Sequence, residues 1–547
     1  MPSIRNIVSI DLFRRKNAGS FHNRFMQTPP SQFGRKEDGG RQLAAHCPSD
    51  VLSPREFIPP TVTPASSTIK LPNAQHIAGE TRNHPSTVRD IVKSLLYRIT
   101  PTRTPAVKKE DKKDFKPTET MDAQTQAPLQ FTYIQSKGIY HGLPVIAGPD
   151  SPKGLTAIVT GANGMSGSHM VRVLAESPER WANIYAMSRR AAVEDGKYGN
   201  VTHLELDFLE TSPEDLAKAM VENGVKADYI FYYSYIQLAD SNSNIPGALL
   251  SNFLKALKLA SITPKRFMLQ TGAKNYGSHL GSSKSPQVES DPRVTLEPNF
   301  YYDQEDLLFQ FCKETGVEWN VVRPSFMLGA ARDAAMNLAY SLGVFAAVHA
   351  HLGEPLIFPG NIASFDVIRD LSSSKLTSYL AEWAVLNPDA RNEAFNACDC
   401  SAVTPGALWT ALAKIYRTGY KAPDPNAEYQ CFIFPFDPPP RGFGPPEKME
   451  FRYSFAAWSY DPKVHAAWQE LSQKHGIAYN PFSSPADRNR IFGLTDAAIL
   501  PGIPVQFSMD KSRKFGWHGT VDSLASLRSV LEELIEMKML PPLPSTA

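Results

Sequence analysis

Residues 155–167 read LTAIVTGANGMSG. The apolar run Leu155 to Thr160 predicts a buried strand. Gly161, Gly164 and Gly167 follow at three-residue spacing, and Met170, Val171, Val173 and Leu174 then give an apolar helical pattern. Strand, glycine-rich turn and helix make the first unit of a dinucleotide-binding fold. The first glycine lets the turn close, the second lets backbone approach a pyrophosphate, and the third lets helix and strand pack, with the helix N-terminus facing the phosphates. Three glycines alone fit a plain tight turn equally well. The strand before them and the helix after them carry the reading, and make Gly161, Asn163, Gly164, Met165 and Gly167 the expected cofactor contacts.

Further along, Asn183 to Arg190 predicts a second strand ending in Ser188-Arg189-Arg190. A carboxylate at that position would hold a ribose 2′-hydroxyl. Arginines instead make charge-assisted bonds to a 2′-phosphate, which favours NADP(H); two solvated surface arginines are the alternative. Val201 to Asp207 alternates as a third strand, with Asp207 placed to bond an adenine or to start a turn. Ser212-Pro-Glu-Asp215 has the pattern of a capped helix start. Tyr229 to Tyr235 predicts a fourth strand, Ile245 to Leu259 a helix, Arg266 to Thr271 a fifth strand and Trp319 to Pro324 a sixth. Strands alternating with helices predict an α/β chain built on a Rossmann-type, doubly wound parallel sheet. Ligands bind outside the carboxyl ends of such strands, at Tyr235, Thr271 and Pro324 among others.

The chain has 547 residues, a formal net charge of +2, 45 prolines and five cysteines. That length allows a large core and more than one domain. Near-balanced charge gives no support to nucleic-acid binding. Sparse, odd-numbered cysteines predict reduced thiols and a cytoplasmic protein. Cys398-Asp-Cys400 lacks a second ligand pair of matching spacing, so no metal is expected. No apolar run approaches the roughly 20 residues of a membrane span. Residues 1–128 are rich in Pro, Ser, Thr and basic side chains and lack apolar periodicity, which predicts a mostly disordered extension. Within it Val88, Ile91, Val92, Leu95, Leu96 and Ile99 share one helical face. Residues 129–330 are the expected NADP-binding Rossmann domain. Residues 331–547 are a smaller substrate-binding, lid-like part interleaved with it, in which Met336 to His351 and Val521 to Met539 predict helices. A homodimer is the assembly considered.

The chemistry is found by looking for a tyrosine with a cation beside it. In short-chain dehydrogenases a lysine follows the tyrosine by four residues on one helical face. Tyr133-Ile-Gln-Ser-Lys137 has that spacing but precedes the first strand, which rules it out. The helix that should carry the pair reads Asn299-Phe-Tyr301-Tyr302-Asp-Gln-Glu305-Asp306, with acids where the lysine should be. A lysine stands instead just past the fifth strand, in Thr271-Gly-Ala-Lys274-Asn-Tyr276-Gly.

This pairing of TGxKxY with NFYYxxED resembles the progesterone 5β-reductase/iridoid synthase-like group of atypical extended short-chain dehydrogenases. The likeness extends through the three glycines, Ser188-Arg189-Arg190, Arg323-Pro324-Ser325-Phe326-Met327-Leu328-Gly329, Asn392 to Asn396 and Ser508 to Ser512, over roughly residues 130 to 540. It departs from the family in Ser325, where a glycine is usual, and in the long N-terminus. The resemblance implies that Tyr301 and Lys274 are the catalytic pair, that Arg323 and Pro324 lie at the cofactor, and that Tyr235 and Phe326 border an apolar substrate. It implies NADPH-dependent reduction of a carbon–carbon double bond conjugated to a carbonyl, on a steroid-, terpenoid- or polyketide-like enone. Hydride reaches the β-carbon, and Tyr301 donates a hydrogen bond to the carbonyl oxygen as charge develops there, with Lys274 holding the field positive. Carbonyl reduction or another extended short-chain dehydrogenase activity stays open, as does a non-catalytic NADP-binding sensor.

Overall fold

The computed structural model describes residues 133–146, 151–191, 196–236, 245–332 and 336–544. The N-terminal extension and its helical stretch lie outside these residues. The strands of the central sheet are Leu155–Thr160 (β1), Trp181–Ser188 (β2), Val201–Glu205 (β3), Tyr229–Tyr232 (β4), Arg266–Gln270 (β5), Glu318–Pro324 (β6) and Glu393–Ala397 (β7). All neighbours run parallel, in the order β3-β2-β1-β4-β5-β6-β7. Every residue of β1 except Thr156 is buried, as a strand needs when it has a parallel neighbour on each side and helices on both faces. The order reverses between β1 and β4, and the crevice opens there.

Helices Met165–Ala175 (α1), Pro213–Glu222 (α2), Ile245–Leu259 (α3) and Phe300–Thr315 (α4) follow the pattern read from the sequence. Leu338–His351 (α5), Ser374–Leu386 (α6), Pro485–Ile499 (α7) and Ser523–Glu536 (α8) lie in the second half of the chain. One face of the sheet packs on α1 and α6 through Met170, Leu174, Leu380 and Trp383. The other packs on α2, α3 and α4 through Leu216, Phe253 and Phe311. The Ser212 hydroxyl caps α2, accepting from the Asp215 amide at 3.1 Å.

Three expectations are corrected. β7 was not foreseen: Glu-Ala-Phe-Asn-Ala has one large apolar side chain, and its place comes from pairing with β6 and from Phe395 packing on Trp383, ring centres 5.4 Å apart. β2 stops at Ser188 and β4 at Tyr232, so the arginines and Tyr235 sit on loops beyond the strand ends. Finally, α5 starts at Leu338 rather than Met336, and Leu338 through Val348 are all buried and form the centre of a separate core. The hairpin of Ile134–Lys137 and Tyr140–Pro144 pairs with Thr520–Val521, which removes Tyr133 and Lys137 from the sheet crevice. Among the described residues no helix is long and apolar enough to cross a membrane, and no cluster of side chains could hold a metal ion.

Candidate active site

A cavity of about 500 Å³ runs along the carboxyl ends of β1, β2, β4, β5 and β6. At its floor Gly161 has φ +61°, and a Cβ there would lie 2.8 Å from the Tyr233 carbonyl oxygen. A Cβ on Gly167 would lie 2.3 Å from the Gly161 carbonyl oxygen. The turn therefore folds against its own helix only because both residues lack side chains. Gly164 precedes α1, and Met165 and Ser166 open it toward the cavity. Gly167→Ala is expected to push the turn off α1, costing about 1–3 kcal/mol of overpacking strain and weakening dinucleotide binding at least tenfold. Thermal unfolding and cofactor titration would show both, and an unchanged affinity would refute this role for the turn.

Ser188, Arg189, Arg190 and Asp207 also line the cavity, with both arginines exposed. The Asn163 amide ties their loop to the glycine-rich turn, donating to the Arg190 and Ala191 carbonyls at 3.0 and 2.8 Å. The Ser188 hydroxyl donates to the Arg190 carbonyl at 2.7 Å. Asn163 and Ser188 are thus already engaged in shaping the arginine loop. Asp207 accepts from the amides of Leu209 and Glu210 at 2.8 and 3.3 Å, which is turn-starting geometry.

At the end of β5, Gln270 and Thr271 line the cavity, and Gln270 Oε1 and Thr271 Oγ1 are buried without a protein partner. Buried orphans of this kind are rare in native chains and point to a ligand that satisfies them. The glycine cradle and the orphaned polar atoms fit a nicotinamide dinucleotide lying across the switch point.

Tyr301 and Lys274, 27 residues apart in sequence, both line this cavity. Asn299 holds them: its Oδ1 caps α4 on the Tyr301 amide at 3.1 Å, and its Nδ2 donates to the Lys274 carbonyl at 2.8 Å. A Cβ on Gly272 would come within 3.1 Å of the Tyr301 hydroxyl and 3.5 Å of the Pro324 carbonyl oxygen, so that glycine keeps space open beside the hydroxyl. Burial pushes the Tyr301 hydroxyl well above its ordinary pKa, and neighbouring Tyr235 adds to the shift. The phenol is neutral and a donor. Lys274 Nζ lies 5.7 Å from the centre of the Phe300 ring.

Pro324 and Phe326 line the cavity; Tyr235 stands at its edge, 43% exposed, 5.7 Å from Phe300. Arg323, expected at the cofactor, is not among the residues that line the cavity. Its guanidinium is buried behind β6, with Nη2 on Glu305 Oε1 at 2.9 Å and Nη1 toward the Tyr276 hydroxyl at 3.4 Å. Glu305 also accepts from Asn275 Nδ2 at 3.0 Å, and the Tyr302 hydroxyl donates to the Asn275 carbonyl at 2.5 Å. This buried network locks the Lys274 loop, the start of α4 and the end of β6 together.

Two parts of the wall escaped the sequence reading. His279, five residues past Lys274, lines the cavity with Nδ1 buried and unpartnered; burial and the Lys274 charge keep its pKa well below the ordinary value, so the ring is neutral. Leu494, Ala497, Pro501, Ile503 and Val505 bring an apolar wall from α7 and the chain after it. No motif marks either; only the fold carries them there.

The fold and site together define a Rossmann-type oxidoreductase of the extended short-chain dehydrogenase/reductase kind. The model of the PRISE-like Rossmann-fold domain family matches residues 157–431, and the chain belongs to that family. It is 29% identical to an uncharacterized protein of Schizosaccharomyces pombe, over 71% of this chain and 99% of that one. It is 28% identical to a short chain dehydrogenase of Penicillium aethiopicum, again over 71% and 99%. With the (S)-8-oxocitronellyl enol synthase of Nepeta cataria it shares 30% identity over 47% of this chain and 68% of that one.

Proposed function

We propose that this protein is an NADPH-dependent reductase of α,β-unsaturated carbonyl compounds. The observation that carries the reading is the neutral Tyr301 hydroxyl on the wall of the cavity at the carboxyl ends of the sheet strands, with Lys274 on the same wall. The family relative named as an enol synthase supports it, because hydride addition to the β-carbon of an enone leaves an enol or enolate.

Gly161, Gly164, Met165 and Gly167 would hold the pyrophosphate, Arg189 and Arg190 the 2′-phosphate, and Thr271 and Pro324 the nicotinamide end, with Asn163 and Ser188 fixing the arginine loop. When bound, NADPH supplies the hydride. Tyr301 donates its hydrogen bond to the substrate carbonyl oxygen, whose negative charge grows as the double bond is reduced. Because the donor is fixed in place before reaction, it stabilises the transition state more than the ground state. The Lys274 ammonium adds positive potential at the same oxygen. Phe326 and the apolar wall shield the enolate while hydride is transferred, and a proton taken from solvent at the α-carbon completes a saturated ketone or aldehyde.

The test is NADPH oxidation with a panel of enones, with products identified. A saturated carbonyl product supports the reading. An allylic alcohol would replace it with carbonyl reduction. NADPH bound tightly with no turnover across the panel would favour a sensor. Replacing both arginines, Arg189→Ala with Arg190→Ala, is expected to weaken NADPH binding at least tenfold while leaving NADH within about threefold, since each charge-assisted bond is worth about 1.5–3 kcal/mol. Equal losses for both cofactors would mean that the arginines do not read the 2′-phosphate.

A further inference from the structure

A buried charge stands beside the apolar wall of the cavity. Arg369 lies among the lining residues, in a segment whose backbone bridges to Val403 and Val505. It is 3% exposed. Its Nη2 donates to the Pro501 carbonyl, its guanidinium carbon lies 5.9 Å from the centre of the Phe326 ring, and its Nε is buried without an acceptor. Among the described residues no carboxylate pairs with it. The adjacent Asp370 accepts from the Phe507 amide at 2.6 Å. Arg490, another lining cation, is paired with Asp487 at 3.3 Å. Burial pushes the Arg369 guanidinium down to about 10, so it remains a cation at neutral pH.

A buried charge without a counter-charge is expensive, and one carbonyl does not satisfy a guanidinium with five donors. Such a group is stable on a cavity wall when a ligand brings the missing anion. Phe326 relates it to the reacting end. Pro324, whose carbonyl lies beside the space next to the Tyr301 hydroxyl, is two residues before Phe326, the ring that Arg369 covers. We propose that Arg369 is the anion-recognising residue of the substrate cavity and that the substrate is an enone carrying a carboxylate on an apolar body. The proposal rests on the enone-reductase reading for the reacting end, and adds one anionic group to the apolar body expected of the substrate. A planar carboxylate suits the fork of an arginine better than a neutral oxygen does.

The test separates binding from turnover. Decanoate and methyl decanoate, with homologues two carbons shorter and longer, are titrated calorimetrically into the NADP-loaded protein and into Arg369→Met and Arg369→Lys. The native protein is expected to bind at least one acid tenfold or more tightly than its ester, a factor equal to about 1.4 kcal/mol. Arg369→Met should erase that preference without changing NADP affinity, and Arg369→Lys should keep part of it. Turnover of (E)-10-oxodec-8-enoate against its methyl ester should show the same preference in kcat/KM. Acid and ester binding alike in the native protein, a preference that survives in Arg369→Met, or a loss of NADP affinity in that variant would each overturn the proposal. Preferential acid binding with no turnover of any enone would leave Arg369 in place and sink the reductase reading instead. If Arg369→Met does not fold, the native titration and the Lys variant still decide.

Discussion

Tyr301→Phe is expected to lower kcat for enone reduction by about 10²–10³-fold, with NADPH affinity unchanged. The magnitude follows from the role: one fixed donor to a developing oxyanion is worth about 2.7–4 kcal/mol. The ring itself stays, packed on Phe300 with centres 4.4 Å apart, so the variant should fold as the native chain does. Rapid-mix kinetics following NADPH absorbance would measure the step directly. The pH profile supplies a second readout. The protonated phenol is the active form, and burial places its pKa above the ordinary tyrosine value of about 10. Donor capacity is therefore full at every pH below that value and is lost only above it. A basic limb between pH 7 and 10 that disappears in Tyr301→Phe would show an ionising tyrosine and contradict the neutral-donor mechanism. Lys274→Met should lower kcat less, because it removes potential rather than a donor.

The sheet and its glycine-rich turn were legible because both are local. A buried strand, three glycines and an amphipathic helix lie within about twenty residues, and it is their combination that has one physical reading. Lys274 and Tyr301 could be named because each sits in a short, distinctive motif, although only the fold brings them to one wall. What the sequence hid depends on contacts between distant segments. β7 is a strand because β6 is next to it. Arg369, His279 and the wall after α7 reach the cavity from loops with no periodicity to read. Arg323 is the opposite case: a residue in the right motif whose side chain lies outside the cavity lining and pairs with Glu305. Arg323 was placed at the cofactor by the resemblance, whereas its partner Glu305, noted in the sequence only as an acid where a lysine was sought, decides where its side chain goes.

That partner makes Glu305 the strongest structural prediction. Its carboxylate is 3% exposed and accepts from Arg323 at 2.9 Å, Asn275 at 3.0 Å and Arg293 at 3.3 Å. Glu305→Ala would leave the Arg323 guanidinium buried beside an empty site, and breaking a buried pair in this way costs about 3–5 kcal/mol. Asp306, one residue on, shares Arg293 at 2.8 Å, but its side chain is 61% exposed. Asp306→Ala should therefore cost no more than about 1 kcal/mol. Denaturant unfolding of the two variants compares a buried and a solvated carboxylate on one helix and against one common arginine. The same loss should appear in catalysis. Asn275 follows Lys274 directly, and Arg323 precedes Pro324, so the carboxylate that stabilises the fold also sets the positions of the lysine loop and the strand end beside Tyr301. Glu305→Ala is expected to lower kcat at least tenfold at temperatures where it remains folded, while Asp306→Ala leaves it unchanged. A Glu305 variant as stable and as active as the Asp306 variant would show that Arg323 finds another counter-charge, and that the site is not built on this network.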